Sequence, residues 1–160
     1  MDEELEQLAI ALGERMSARG LRVTTAESCT GGLVAGAITA IAGSSQWFDR
    51  GFITYSDAAK IEVLGVPRAT LEQFGSVSEE MARALALGAL ERSLAQVSVA
   101  VTGVAGPAGG TPDKPVGMVC FGWAAQGTAT TTVTRHFSGG REAVRQASVV
   151  AALEGLIARL

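Results

Sequence analysis

The sequence predicts an α/β fold, a three-layer α/β/α sandwich around a mixed, mostly parallel sheet. Two observations carry this. Helix-period and strand-period segments alternate through the first two thirds of the chain, and a hairpin of two strands comes late, before a final helix. At 160 residues, 48% hydrophobic and 18% charged, the chain is expected to form a single domain, 1–160, with a buried core.

The elements follow in order. Leu5, Leu8, Ala9, Leu12 and Met16 recur at helical spacing, and Gly20 ends that helix. Leu21 to Ala26 reads as a short buried strand. A helix of small residues follows, roughly Leu33 to Ile41, in which Gly32 and Gly36 are expected to permit close packing. Gly51 to Tyr55 is a second strand. Asp57 to Leu64 is a short helix stopped by Gly65 and Pro67, and another covers Arg68 to Phe74. Ser78 caps a helix that begins with Glu79 and Glu80 and runs to about Ser93. Val97 to Thr102 is a strand rich in β-branched residues. After a loop rich in glycine and proline, Val116 to Ala124 and Thr128 to Phe137 form a hairpin through Gln126-Gly127. The last helix spans about Gly140 to Leu160, with Val149, Leu153, Leu156 and Leu160 on one stripe.

Charge and composition narrow the function. The net charge of -3 shows no basic excess of the kind a nucleic-acid binder carries, so no nucleic-acid partner is expected. A small anionic ligand remains open, since a few arginines suffice for one phosphate. The N-terminus is acidic and unlike a signal peptide. The longest apolar stretch, near Gly31 to Gly43, is too short to span a bilayer, so no membrane partner is expected either. Cys29 and Cys120 have no metal-ligand spacing, which fits a cytoplasmic protein with reduced thiols.

Four segments can carry chemistry. TAESCTGG, Thr25 to Gly32, follows a strand and opens a helix, where free N–H groups favour a developing oxyanion or a phosphate. Ser28 is the candidate nucleophile there, and Thr30, Gly31 and Gly32 leave room for a ligand. Ser28 or Thr30 could equally be a helix cap, and Cys29 is a rival nucleophile or core filler. RGFITYSDAAK, Arg50 to Lys60, contains Tyr55 and Lys60. Eleven of thirteen basic residues are arginine, which cannot accept a proton. Lys60 can, where burial depresses its pKa, although a solvated helix position is the other reading. His136, the sole histidine, is the competing base. VTGVAGPAGG, Val101 to Gly110, is a glycine-rich loop after a strand, closed by KPVG, without a Walker lysine or a dinucleotide fingerprint. FSGGREAVR, Phe137 to Arg145, puts Arg141 and Arg145 on one helical face, able to hold a phosphate or to lie in solvent.

In this order, the four segments resemble the C-terminal domain family of the competence/damage-inducible protein CinA, and the likeness covers practically the whole chain. The stretch GSSQWFDRGFITYSDAAK, Gly43 to Lys60, is nearly as specific to that family as TAESCTGG. The resemblance implies the α/β/α fold. It also implies an amidase converting nicotinamide mononucleotide and water to nicotinate mononucleotide and ammonia, with no metal or cofactor. By motif, Ser28 is then the nucleophile, and Lys60 with Tyr55 handles its proton. Thr102, Gly103 and Gly106 form the second wall of the substrate pocket. Thr30, Gly31 and Gly32 border the substrate, and Arg141 and Arg145 occupy anion-binding positions. A homodimer is expected from the family. Two-domain relatives carry an additional N-terminal nucleotide-hydrolase domain, and this chain starts at the amidase helix. The alternative is a non-catalytic nucleotide-sensing or competence-related binding module.

Overall fold

A computed structural model of the protein describes residues 1–160. The chain begins with α1 (Glu3–Arg19), β1 (Val23–Glu27) and α2 (Leu33–Thr39). A 3-10 turn (Ser44–Gln46) then leads to β2 (Phe48–Ile53). Three helices follow, α3 (Asp57–Leu64), α4 (Arg68–Phe74) and α5 (Glu79–Glu91). The rest is β3 (Val97–Gly103), β4 (Met118–Ala125), β5 (Thr131–His136) and α6 (Arg141–Ala158). The strand order is β2-β1-β3-β4-β5. β1 pairs in parallel with β2 and β3, while β4 is antiparallel to both β3 and β5. The sheet is therefore mixed, with β4 alone reversed.

The two sheet faces differ in side-chain size, and this sorts the helices. On one face Val23, Val97, Val99, Val101, Val119, Phe121 and Trp123 pack against Leu5, Leu12 and Met16 of α1, Val34 and Ile38 of α2, and Val149, Leu153 and Leu156 of α6. The other face presents Ala26, Ala100 and Ala124 to Met81, Leu85, Ala86 and Ala89 of α5. Small side chains let α5 approach closely. A Cβ at Gly122 would sit 2.6 Å from the Ala82 carbonyl oxygen. Alternate residues of each strand point to opposite faces, so one strand serves both layers.

Helix ends explain where the sequence reading succeeds. Asp2 accepts from the Leu5 amide at 2.8 Å, and Gly20 closes α1 at φ 64°. Ser56 and Ser78 cap α3 and α5 through the amides of Ala59 and Met81, each at 3.0 Å. Polar caps and left-handed glycines are local signals, and the bounds of α3 and α4 fall where the sequence puts them.

Three expectations shift. β2 begins at Phe48 rather than Gly51 because pairing with β1 starts as soon as the 3-10 turn ends. As an edge strand carrying Asp49 and Arg50, it lacks the apolar run that would mark its start. The hairpin connection covers 126–130, longer than a turn at Gln126-Gly127 alone. Gly36 meets nothing within 4 Å of an added Cβ, so it makes no close contact. Gly32 does lie close to a neighbour, an added Cβ falling 3.0 Å from Ile53 Cδ1, and its backbone at φ 106° also favours glycine.

From β1 the chain turns outward to β2, then returns to β3 on the other side of β1. A crevice opens outside the carboxyl ends of strands at such a reversal, and the candidate site lies there. No helix is long and apolar enough to cross a membrane.

Candidate active site

Ser28 is the first residue beyond β1. Its amide donates to the Val101 carbonyl of β3 at 2.9 Å, which fixes the start of the turn. Lys60, on α3, reaches it from the side of β2. Its Nζ lies 3.1 Å from Ser28 Oγ, 3.1 Å from the Thr54 carbonyl oxygen and 3.3 Å from that of Tyr55. Lys60 is 1% exposed, the largest fully buried side chain in the protein. No carboxylate pairs with it; the two salt bridges join Arg50 to Asp49 and Arg92 to Glu91. Burial holds its amine below the ordinary lysine value of 10.5, opposed by the negative charge of Asp57 and by Cys29. A buried lysine without an ion-pair partner is costly for stability and is a mark of a working site.

The cavity over this pair has a volume of about 280 Å³. Ser28, Tyr55, Lys60, Thr102, Gly103, Gly106 and Arg141 line it, together with Cys29, Asp57, Ser76 and the glycine-rich loop to Gly109. Elements from across the sequence thus converge as the motifs suggest. A groove of about 390 Å³ between α4 and α5 is larger, but holds only Glu80, Arg83 and Glu91 as charged groups and no serine, cysteine, lysine or histidine.

The second wall is tied down by its own bonds. Thr102 Oγ1 donates to the Ser76 carbonyl, and Lys114 Nζ to that of Phe74, linking the loop to the α4–α5 connection. Arg141 donates to the Gly106 carbonyl at 2.9 Å and to the Tyr55 hydroxyl at 3.0 Å. Tyr55 therefore meets Lys60 through its backbone oxygen, while its phenol, on a residue 59% exposed, faces Arg141.

Other expected residues lie elsewhere. Arg145, Thr30, Gly31 and Gly32 are outside the Ser28 cavity. Arg145 donates to the carbonyls of Cys29 at 3.1 Å and Thr30 at 3.3 Å, and shares a shallow depression with Arg141, Leu33 and Glu142. Gly31 and Gly32 serve the turn, at φ 57° and 106°. His136 is exposed at the end of β5 and outside the cavity. Cys29 does line it, but burial pushes its thiol up to about 11, leaving it protonated.

Glu27 is the residue that sequence reasoning missed. It is fully buried and accepts from Thr30 Oγ1 at 2.6 Å and from the amides of Gly32, Val34 and Ala35 at 3.2, 2.9 and 3.0 Å. The first amides of α2, expected to meet an oxyanion or a phosphate, are thus occupied by a carboxylate. The signal was present as a carboxylate between strand and glycine pair, but in sequence it reads as a loop charge.

The fold and site together define an α/β/α domain with a buried serine–lysine pair at the carboxyl ends of parallel strands. The chain belongs to the CinA C-terminal domain family, whose model matches residues 5–160. It is 53% identical to the nicotinamide-nucleotide amidohydrolase PncC of Enterobacter agglomerans, over 96% of this chain and 93% of that one. With the protein of the same name from Escherichia coli K12 it shares 50%, over 97% and 94%. Among solved structures, the competence/damage inducible protein CihA from Agrobacterium tumefaciens superposes with a TM-score of 0.96 at 48% identity, covering 99% of this chain and 96% of that one.

Proposed function

We propose that the protein is a nicotinamide-nucleotide amidase, a single-domain enzyme of pyridine-nucleotide salvage that hydrolyses the carboxamide of nicotinamide mononucleotide in the cytoplasm. One observation carries this reading: a lysine amine, buried and without a carboxylate, 3.1 Å from a serine hydroxyl inside a cavity. The names of relatives at about half identity over nearly their full length supply the substrate.

A neutral amine has two N–H donors and one lone pair. The carbonyls of Thr54 and Tyr55 accept the donors, which leaves the lone pair for the Ser28 O–H. Ser28 Oγ attacks the carboxamide carbon as Lys60 takes the proton. The resulting ammonium returns that proton to the leaving nitrogen, the C–N bond breaks, and ammonia departs. Water, deprotonated by the same amine, then attacks the ester and restores Ser28. Each amide donor to the tetrahedral oxyanion is worth about 3 kcal/mol. Arg141 supplies the positive charge for the ribose phosphate and holds the ring in attack geometry.

The test is ammonia release from the mononucleotide, the riboside and free nicotinamide side by side, with Arg141→Ala beside the wild type. The expected result is turnover of the mononucleotide, with Arg141→Ala raising its KM roughly tenfold to a hundredfold, the worth of a charged hydrogen bond. Calorimetric binding of the mononucleotide without any ammonia would refute it.

A further inference from the structure

We propose that Glu27 and Arg145 are positioning residues that grip the Ser28 turn from its two sides and hold its Cys29 amide in place for the oxyanion. The proposal rests on the acyl-transfer reading above. Glu27, fully buried, takes donors: the Thr30 hydroxyl and the amides of Gly32, Val34 and Ala35. Arg145, reaching across from α6, supplies donors to the carbonyls of Cys29 and Thr30. Within the turn, the Ser28 amide is bonded to Val101, the Gly31 amide to the Ser28 carbonyl and the Gly32 amide to Glu27. The amides of Cys29 and Thr30 are the two in this turn that donate to no oxygen, and of these two residues only Cys29 lines the cavity.

That pattern has a chemical meaning. The amide directly after a serine nucleophile is a recurrent oxyanion donor, and its worth depends on being preorganised and unoccupied. The Cys29 amide shares its peptide plane with the Ser28 carbonyl, which the Gly31 amide holds; Arg145, on the Thr30 carbonyl, fixes the plane of that Gly31 amide, while Glu27 pins the chain where α2 begins. The turn contains Gly31 and Gly32 at positive φ, a backbone with little stiffness of its own. The pair Glu27 and Arg145 supplies the rigidity that the glycines lack. Arg145 in this role acts on the protein's own backbone rather than on substrate phosphate.

The test uses a small fluorophosphonate, which phosphonylates Ser28 Oγ with loss of fluoride, the proton going to Lys60. Labelling rates and steady-state ammonia release are compared for the wild type, Glu27→Gln, Arg145→Met and Arg145→Lys. All are measured well below their melting temperatures. Arg145→Met is the informative variant should Glu27→Gln fail to fold. The expected result is a fall of roughly tenfold to a hundredfold in both kcat and labelling rate, the cost of a misplaced reacting group. KM stays within about twofold, and Arg145→Lys recovers part of the loss. Unchanged labelling in folded variants, or a raised KM with unchanged kcat, would overturn the proposal while leaving the serine chemistry intact. A wild type that releases ammonia but is not labelled at Ser28 would instead remove the acyl-transfer reading, and this proposal with it.

Discussion

Lys60 Nζ lies 3.1 Å from Ser28 Oγ, with no carboxylate in salt-bridge range of the amine and two backbone carbonyls sharing it. Burial disfavours the charged ammonium here and so favours the uncharged amine. A carboxylate at this position would hold the ammonium and silence the base, whereas carbonyl dipoles orient the amine without a full opposing charge.

The first consequence is a pH dependence with a defined sign. The base is the neutral form, so kcat/KM rises with pH through the Lys60 titration, at a value that burial places below 10.5. Asp57, also on the cavity wall, raises that value through its negative charge. Asp57→Asn should therefore move the rising limb to lower pH. A limb that stays in place, or moves up, would show that another group titrates.

Tyr55 offers a second check, because its phenol contacts Arg141 rather than the serine–lysine pair. Tyr55→Phe should raise KM roughly two- to tenfold, the net worth of one hydrogen bond, and spare most of kcat. Steady-state kinetics decides this. A collapse of kcat to the level of a serine knockout would put the phenol in the proton path.

Away from the site, Glu79 accepts from Thr134 and Thr132, each at 2.7 Å, joining the start of α5 to β5. These bonds hold its carboxyl below the ordinary 4.5. Its contribution to stability is thus present above the unfolded value near 4.5 and lost as pH falls through the lower folded value. In thermal melts from pH 7 to pH 3, Glu79→Gln should melt lower at pH 7 and lose less on acidification. Parallel curves for the two proteins would contradict this.

These residues also show what the sequence made legible. Helix ends set by Gly65 and Ser78 are local and were readable, as was the strand–turn–glycine setting of Ser28. The pairing of Ser28 with Lys60, 32 positions apart, was left open by residue chemistry and implied by the family resemblance, and the geometry brings the two together. Arg145 was read as a ligand for phosphate, yet its hydrogen-bond partners lie 115 and 116 positions away on the Ser28 turn. Only the packing of α6 beside α2 creates that contact. Glu27 was passed over for a similar reason. Its partners are near in sequence, but its burial depends on the helices closing over β1. The start of β2 was missed because edge pairing follows β1, not an apolar pattern.

The most direct test of the central claim is ammonia release from nicotinamide mononucleotide by folded Ser28→Ala and Lys60→Met proteins. Melting curves and circular dichroism confirm that each is native. Both should lose at least about a thousandfold in kcat, as members of one nucleophile–base unit do. Either variant turning over within about tenfold of the wild type would contradict the account.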